Sequence, residues 1–503
     1  MRTAPAVSQI LQLALSHHSE GRLREAEDLY RRVLQTDPDN AAAWHFLGVL
    51  AYQRGDHPSA LEHIQRAIRL NKKEPAFHGN LGLVLHAMGQ REKAVQSYRR
   101  ALALKPGYPE AHYNLGNSLK EEGRLQQATV AYRRAIALKP DYAEACNNLG
   151  LALQRQRKLG EATAAYQQAL ALRPDDAAAH YNYATALLLL GDLARGWREY
   201  EWRLNEGPGF ASLHSTFAGP RWEGDELGGR TVLLHAEQGL GDTLQFIRYA
   251  PLVARRGGRV VVQCQPELKR LLDGAAGIER VLARGEPLPP FDLHCPLLSL
   301  PLAFGTALDS IPAEVPYVWP EQRLVTHWQN NVNNACSRRI GLVWGSNPLG
   351  REAGFDAYKE RNSCPLSSFA PLAGVAGVRY YSLQKGEAAR QAQHPPEGME
   401  LVDLTGELRD FADTAGLLAN LDLVISIDTA VAHLAGAMGK PVWLLLRFDG
   451  EWRWLTERRD SPWYPTMRIF RQERPGDWDG VLRQVAKALG EGASTGVEPR
   501  LAR

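Results

Sequence analysis

The feature that most limits what this sequence can fold into is a step of 34 residues. Gly48, Gly82, Gly116 and Gly150 are each 34 apart, and so are Ala60, Ala94, Ala128 and Ala162. Tyr30, Ile64, Tyr98, Tyr132, Tyr166 and Tyr200 keep the step, as do Pro38, Pro106, Pro140 and Pro174, with Lys72 in the skipped slot. Many independent positions in one phase mean a stack of equivalent helix pairs. Small residues let the paired helices approach, and Tyr and Leu fill the layer between neighbours.

Leu-Gly in the first helix, Ala and Tyr in the second and Pro at the end make the tetratricopeptide pattern. Five repeats run from about 7 to 176, and a degenerate sixth (HYNYATALLLLGDLARGWREYEWRL) extends an all-α solenoid over 1–205. Its Trp197 and Trp202 are expected to cap the array against the next domain. A second series, Asn80, Asn114, Asn148 and Asn182, also steps by 34. Asn is a mediocre helix former, so propensity gives no reason for its recurrence in mid-helix. First helices line the concave groove of such solenoids. There a ladder of amides can donate to a peptide C=O and accept from its N–H. O-GlcNAc transferases carry a similar ladder. The alternative is a phase inherited from repeat duplication. The expected partner is a protein or peptide in the groove, and replacing all four Asn by Ala is expected to leave the fold intact.

Residues 206–229 turn irregular and read as a linker, with Trp222 expected to dock nearby. After it, short branched-apolar runs (TVLLHAE, RVVVQCQ, IERVLAR, DLHCPLLSL) alternate with helical stretches, which means a parallel α/β sheet. RIGLVWGS, VRYYSLQKG, MELVDLTG, LDLVISI, VWLLL and MRIFRQE repeat the pattern, ending in the helix DWDGVLRQVAKAL. The net charge of +3 gives no strong pull towards nucleic acid or membrane, and no run is long enough to span a bilayer. The cysteines Cys146, Cys264, Cys295, Cys336 and Cys364 are scattered, with no C-x-x-C pair. That disfavours disulfides and zinc. With no apolar leader at the N-terminus, it leads us to expect a cytoplasmic protein.

The C-terminal half is organised around LDLVISIDTAVAHLAGAMGKPVWLLL at 421–446: strand, tight turn, helix, strand. Ligands bind at the carboxyl ends of such strands, where Asp428, Thr429 and Ala430 fall. A helix starting there aims free N–H groups and a positive dipole end at an anion. His433, one turn on, offers a donor or a positive charge. From the turn alone, Asp428 is equally an N-cap and His433 a packed core histidine. DTAVAHLAGAMGKP resembles the D-T-x-x-x-H-L-A-x-A-x-G-K-P segment of glycosyltransferase family 9, the heptosyltransferases. The resemblance runs from about Arg230 to about Leu489. It implies the GT-B fold, two Rossmann-like domains facing a cleft: 230–318 on the acceptor side and 319–489 on the nucleotide-sugar donor side, followed by a disordered tail at 490–503.

The turn after the first strand holds Gln238, Gly239, Gly241 and Asp242. A dinucleotide fingerprint needs a third glycine where Leu244 stands, and the second strand lacks the acidic ribose ligand. On the residues alone Asp242 is a helix cap. The resemblance makes it the general base towards an acceptor hydroxyl, with Glu237 next in line. Ser346, Asn347, Lys359 and Arg361 are further donor-side candidates, the last two equally readable as a solvated loop. The aromatic run 452–463 either covers the donor base or packs under the C-terminal helix, and packing is the expected use. D-x-D occurs at 37–39 and 477–479, in a repeat turn and a helix start, so no metal and no cofactor is expected. The implied function is an inverting, metal-independent glycosyl transfer from a nucleoside-diphosphate sugar, with a protein acceptor brought by the repeats. Two alternatives stay open: a non-catalytic scaffold that senses nucleotide sugar, and a lipopolysaccharide heptosyltransferase with an added repeat module.

Overall fold

The 34-residue step has a direct steric cause in the computed structural model, which describes residues 4–205, 217, 219–332, 338–346 and 361–495. A Cβ added at Gly48, Gly82, Gly116 or Gly150 would lie 2.4–2.6 Å from Ile64, Tyr98, Tyr132 or Tyr166 respectively. Real Cβ atoms do not come that close, so only glycine lets the second helix of each repeat lay its large residue across the first. Ala60, Ala94, Ala128 and Ala162 are fully buried at the same crossings. The pairs are Ala4–Ser19 with Leu23–Thr36, Ala41–Gln53 with His57–Leu70, Pro75–Ala87 with Arg91–Leu104, Pro109–Glu121 with Leu125–Leu138, and Ala143–Arg155 with Leu159–Leu172. Helices Ala177–Leu190 and Leu193–Tyr200 follow. Between the two helices of a pair the backbone turns through a left-handed residue: Gly21, Gly55, Gly89 and Gly123 (φ 74–78°), then Arg157 at φ 60° in the fifth slot.

The protein divides into two units, Met1–Tyr183 and Ala184–Arg503. The units part before the expected boundary at 205. Helix Leu193–Tyr200 and the 3-10 turn Glu201–Leu204 belong to the second unit because of what their side chains bury. The Trp197 indole N–H donates to the Thr306 carbonyl at 3.0 Å, and its ring packs edge-on against Trp452 and Phe246. Trp197 is thus a core residue of the second unit. Arg203, with no exposed surface, donates to Glu237 Oε1 (2.8 Å) and Ser299 Oγ (2.7 Å). Trp222, in the described part of the expected linker, packs on Phe304.

Two parallel sheets build the rest of this unit. The first has four strands, β1 (Thr231–His235), β2 (Arg259–Cys264), β3 (Arg280–Ala283) and β4 (Leu293–Pro296), in the order β3-β2-β1-β4. The second has β5 (Arg338–Val343), β6 (Val378–Ser382), β7 (Leu401–Asp403), β8 (Leu423–Ile427), β9 (Val442–Leu446) and β10 (Met467–Arg471), in the order β10-β9-β8-β5-β6-β7. Every pairing is parallel. Strands buried on both faces explain the near-continuous apolar runs in the sequence. The last helix, Trp478–Thr495, buries Val481, Leu482, Val485 and Leu489 on the six-stranded sheet. It continues past Leu489, six residues into the expected tail. Cys146, Cys264, Cys295 and Cys364 are buried free thiols, and Cys336 lies outside the described residues.

Candidate functional site

The two turns singled out in the sequence, 189 residues apart from Gly239 to Asp428, meet in space. Beyond β1, Gly239 caps helix Leu240–Phe246. Beyond β8, Thr429 occupies the cap position of helix Ala430–Ala437 without a side-chain cap bond. A Cβ on Gly241 would sit 2.8 Å from His433 Cδ2 and 3.5 Å from Ala430 Cα. The two helix starts are therefore in contact, and Gly241 is glycine because nothing larger fits.

Asp242 does what the capping reading expected: its Oδ2 accepts the Gly239 N–H at 2.8 Å. Its Oδ1 has a partner that the sequence did not reveal. Arg453, buried and from the segment after β9, pairs with Asp242 Oδ1 and also donates to Gln245 Oε1 (2.6 Å) and Glu451 Oε1 (2.7 Å). Its guanidinium lies 4.1 Å from the Trp452 ring centroid. One cation thus joins the Asp242 turn of the four-stranded sheet to the segment leaving the six-stranded one. Burial raises the pKa of Asp428 and of Glu451, opposed in each by the positive field of Arg453.

His433 is buried. Its Nδ1 lies 2.9 Å from the Tyr464 hydroxyl, its Nε2 3.8 Å from Asp428 Oδ1, and its ring stacks on Trp454 with centroids 5.3 Å apart. Burial, with Arg453 and Arg248 nearby, drives its pKa well below the usual histidine value. Of the donor or positive charge expected of His433, the lowered pKa favours the first, a neutral hydrogen-bonding ring. The fully buried Trp454 indole N–H faces Asp428 and, ahead of Arg453, opposes the rise of its pKa.

The aromatic run packs, but not under the C-terminal helix. Trp452 and Trp463 meet Trp197 and Phe246, while Trp454 and Tyr464 close over His433. These rings and Arg248 wall the meeting point. Arg248 donates to the Trp463 carbonyl (2.7 Å) and to the Tyr317 hydroxyl (2.8 Å). No periodicity announces Arg453 or Arg248; an arginine inside an aromatic run was the only available sign, and it reads equally as surface.

The remaining candidates divide. Asn362 donates its Nδ2 to the Asp428 carbonyl at 3.0 Å, and the Ser346 N–H donates to Ser363 Oγ at 3.0 Å, so the loop after β5 is tied to the Asp428 turn. Arg361 faces Asp449 at 3.8 Å. Asn347 and Lys359 lie outside the described residues. Gln238 meets the Tyr200 hydroxyl at 3.3 Å, and its carbonyl accepts from Gln265 Nε2 at 2.7 Å. Glu237 is buried against Arg203. Among the described residues, no three His, Cys, Asp or Glu side chains could share a metal ion, and no helix is long and apolar enough to cross a membrane.

In the repeats, three of the four phased amides brace the array itself. Each donates to the residue 35 positions earlier, on the first helix of the preceding repeat: Asn80 to His45 Nε2 (2.7 Å), Asn148 to the Tyr113 hydroxyl (3.1 Å), and Asn182 to Asn147 Oδ1 (3.0 Å). The slot before Asn114 is Gly79, which has no side chain, and Asn114 makes no side-chain hydrogen bond among the described residues. Four Ala substitutions would therefore remove three inter-repeat hydrogen bonds, a cost of about 0.5–1.5 kcal/mol each that helix propensity only partly offsets.

Comparison with known proteins carries the repeats past the unit boundary at 183, to residue 198. Tetratricopeptide family models match residues 11–75, 84–121, 116–157, 143–176 and 165–198. The glycosyltransferase family 9 (heptosyltransferase) model matches residues 375–447, which include Asp428 to His433 but not Asp242. Protein FlbA of Caulobacter vibrioides is 27% identical over 300 residues, which are 55% of this protein. The match spans about half, 49%, of that relative's length. Among solved structures, MamA is 26% identical, with 33% of this protein and 96% of MamA covered and a TM-score of 0.30. YrrB, described as a tetratricopeptide protein with an unusual peptide-binding site, is 22% identical over 36% of this protein and 96% of its own length, with a TM-score of 0.31. The protein thus carries tetratricopeptide repeats in its N-terminal part and a glycosyltransferase family 9 segment at 375–447.

Proposed function

We propose that residues 230–489 form a GT-B glycosyltransferase that moves a sugar, with inversion, from a nucleoside-diphosphate donor to a protein acceptor bound by the repeats. The observation that carries this reading is the contact of Gly241 with His433 and Ala430. It puts a carboxylate on one side and a helix start on the other side of a single point, at the carboxyl ends of two parallel sheets, where such folds bind ligands. In the step proposed, Asp242 takes the proton of the acceptor hydroxyl. The freed oxygen bonds to the anomeric carbon, and the bond from that carbon to the phosphate oxygen breaks, its electron pair leaving with the diphosphate. The first-turn N–H groups after Thr429, with the neutral His433 and the Trp454 indole as donors, stabilise the leaving diphosphate. Asp242 needs a free lone pair for this. A carboxylate has about four, and Gly239 and Arg453 occupy two. No metal is required.

The scaffold reading draws on the same geometry, since an Asp242 that only caps and pairs would look no different. Incubation with a panel of nucleotide sugars, followed by measurement of nucleotide release and of added mass on protein acceptors, separates the two. Release and transfer support the enzyme; binding of nucleotide without either supports the scaffold.

A further inference from the structure

A second tie joins the parts built on the two sheets. Helix Pro266–Leu272 follows β2 of the four-stranded sheet, and helix Phe411–Ala419 lies between β7 and β8 of the six-stranded one. Arg270 of the first donates Nε to Asp410 Oδ2 (2.9 Å) and Nη2 to Asp410 Oδ1 and Asp413 Oδ1 (2.6 Å each). Asp410 also caps its helix through the Ala412 and Asp413 N–H groups, and Asp413 Oδ2 accepts from the Arg409 N–H and Nε. Both carboxylates therefore stay in place when Arg270 leaves. Arg270 is 28% exposed and Asp410 23%, so water can reach the pair as it breaks and re-forms. The meeting point itself is shut. Direct displacement needs base, sugar and diphosphate in line, which puts the sugar between the Asp242 carboxylate and the Thr429 helix start. There Gly241 touches His433 and Ala430 so closely that a methyl group on it would not fit, and both Asp242 oxygens have partners. A sugar ring is larger than a methyl.

We propose that the free protein rests in a shut state too tight for its substrates, and that the Arg270 fork on Asp410 and Asp413 is the latch that holds it shut. A nucleoside-diphosphate sugar then binds only the minor open state, and its apparent affinity is reduced by the open fraction. The latch governs entry and touches neither substrate nor reacting atoms. Arg453 and Arg248 also tie segments of the two sheets, through Gln245 and the Trp463 carbonyl, but they belong to the wall of the site. Arg270 is the tie that can be cut without altering that wall. The inference rests on the reading above for what enters and where it sits, not for the latch.

The test compares the full-length protein with Arg270→Met, which keeps the stem and removes the fork. Titration calorimetry with ADP, GDP, UDP and pyrophosphate reads entry. Weakening the shut state by one charge-assisted hydrogen bond raises a small open fraction about tenfold, so at least one of these anions should bind about tenfold tighter to the variant. Removing a cation by itself weakens the binding of an anion, so this gain has the opposite sign to a charge effect. Acylation by diethyl pyrocarbonate, read by mass spectrometry without nucleotide, reports opening independently. His433, buried in the shut state, should be labelled about tenfold faster in Arg270→Met. Raising the salt should speed that labelling in the parent and leave the variant unchanged. His235, buried within β1, should keep its parent rate, which separates opening from unfolding. Arg270→Lys should fall between the two, since a point charge cannot fork. Unchanged labelling of His433, labelling of His235 that rises with it, or anion binding that is equal or weaker in the variant would overturn the latch. If His433 responds and no anion binds to either protein, the latch stands and the donor reading falls. If an anion binds both proteins equally and His433 does not respond, the latch falls and the donor reading stands.

Discussion

Arg453→Met probes the meeting point most sharply. The substitution keeps most of the stem and removes the guanidinium, which now contacts Gln245 Oε1 at 2.6 Å, Glu451 Oε1 at 2.7 Å, and Asp242. Counted singly, three charge-assisted bonds at about 1.5–3 kcal/mol each would overstate the loss, because they share one group. Breaking a buried pair by deleting one partner costs about 3–5 kcal/mol, and that is the expected destabilisation near neutral pH. It should depend on pH with a definite sign. Burial raises Glu451 and Asp428, and Arg453 opposes the rise in both. Without Arg453 both carboxyls rise further. A group whose folded pKa lies above its unfolded value contributes stability below the unfolded value, and loses it as pH rises through the folded value. The deficit should therefore be small near pH 5 and grow towards pH 8. Urea unfolding followed by tryptophan fluorescence reads this directly, since only Trp44 of the 12 tryptophans lies outside the second unit. A deficit below about 1 kcal/mol, as for an exposed pair, or one that is larger at pH 5 than at pH 8, would show that Arg453 does not hold these carboxyls ionised.

The other expectations concern the repeats and the helix start. Arg157→Gly should stabilise the first unit by about 1 kcal/mol in chemical denaturation, because Arg157 holds φ 60° in a slot that is glycine in the four preceding turns. Gly116→Ala should destabilise it by about 1–2 kcal/mol, overpacking against Tyr132 outweighing the better helix propensity. The Tyr132 hydroxyl, held on Asn117 at 2.7 Å, keeps that ring from yielding. Burial lowers His45 to about 4 from an unfolded value near 6.5. Its contribution of about 3 kcal/mol should be present above pH 6.5 and lost as pH falls towards 4. His45→Gln should flatten that part of the acid melting curve, and an unchanged slope would count against it. Thr429→Glu should abolish any thermal shift given by ADP, GDP or UDP, by placing a carboxylate where the phosphate is expected.

The repeat architecture was legible because its cause is repeated. A steric contact such as Gly116 on Tyr132 recurs every 34 residues and writes itself into many positions. The ten strands were legible for a similar reason, since a strand buried on both faces must be apolar throughout. What stayed hidden depends on contacts between distant segments. Nothing local to Trp197 says that its indole reaches Thr306. Arg453 looks like one more charge in a loop until the fold brings it to Asp242, 211 residues away. The asparagine phase was visible, but its part in bracing the array was not: residues 35 apart face each other across successive first helices, and three of the amides donate there. Asn114 stands out only once the residue before its slot is seen to be Gly79.

The claim of sugar transfer at the meeting of the two turns is tested most directly by Asp242→Asn. Asn caps about as well as Asp, so stability should shift by less than about 1 kcal/mol from the cap itself, with any excess reporting the pairing to Arg453. Nucleotide release and sugar transfer should be measured beside nucleotide binding, in the parent and the variant. The expected variant is folded, still binds nucleotide and transfers sugar about a hundredfold or more slowly. Transfer near the parent rate would contradict the general-base role and leave Asp242 as a cap paired with Arg453.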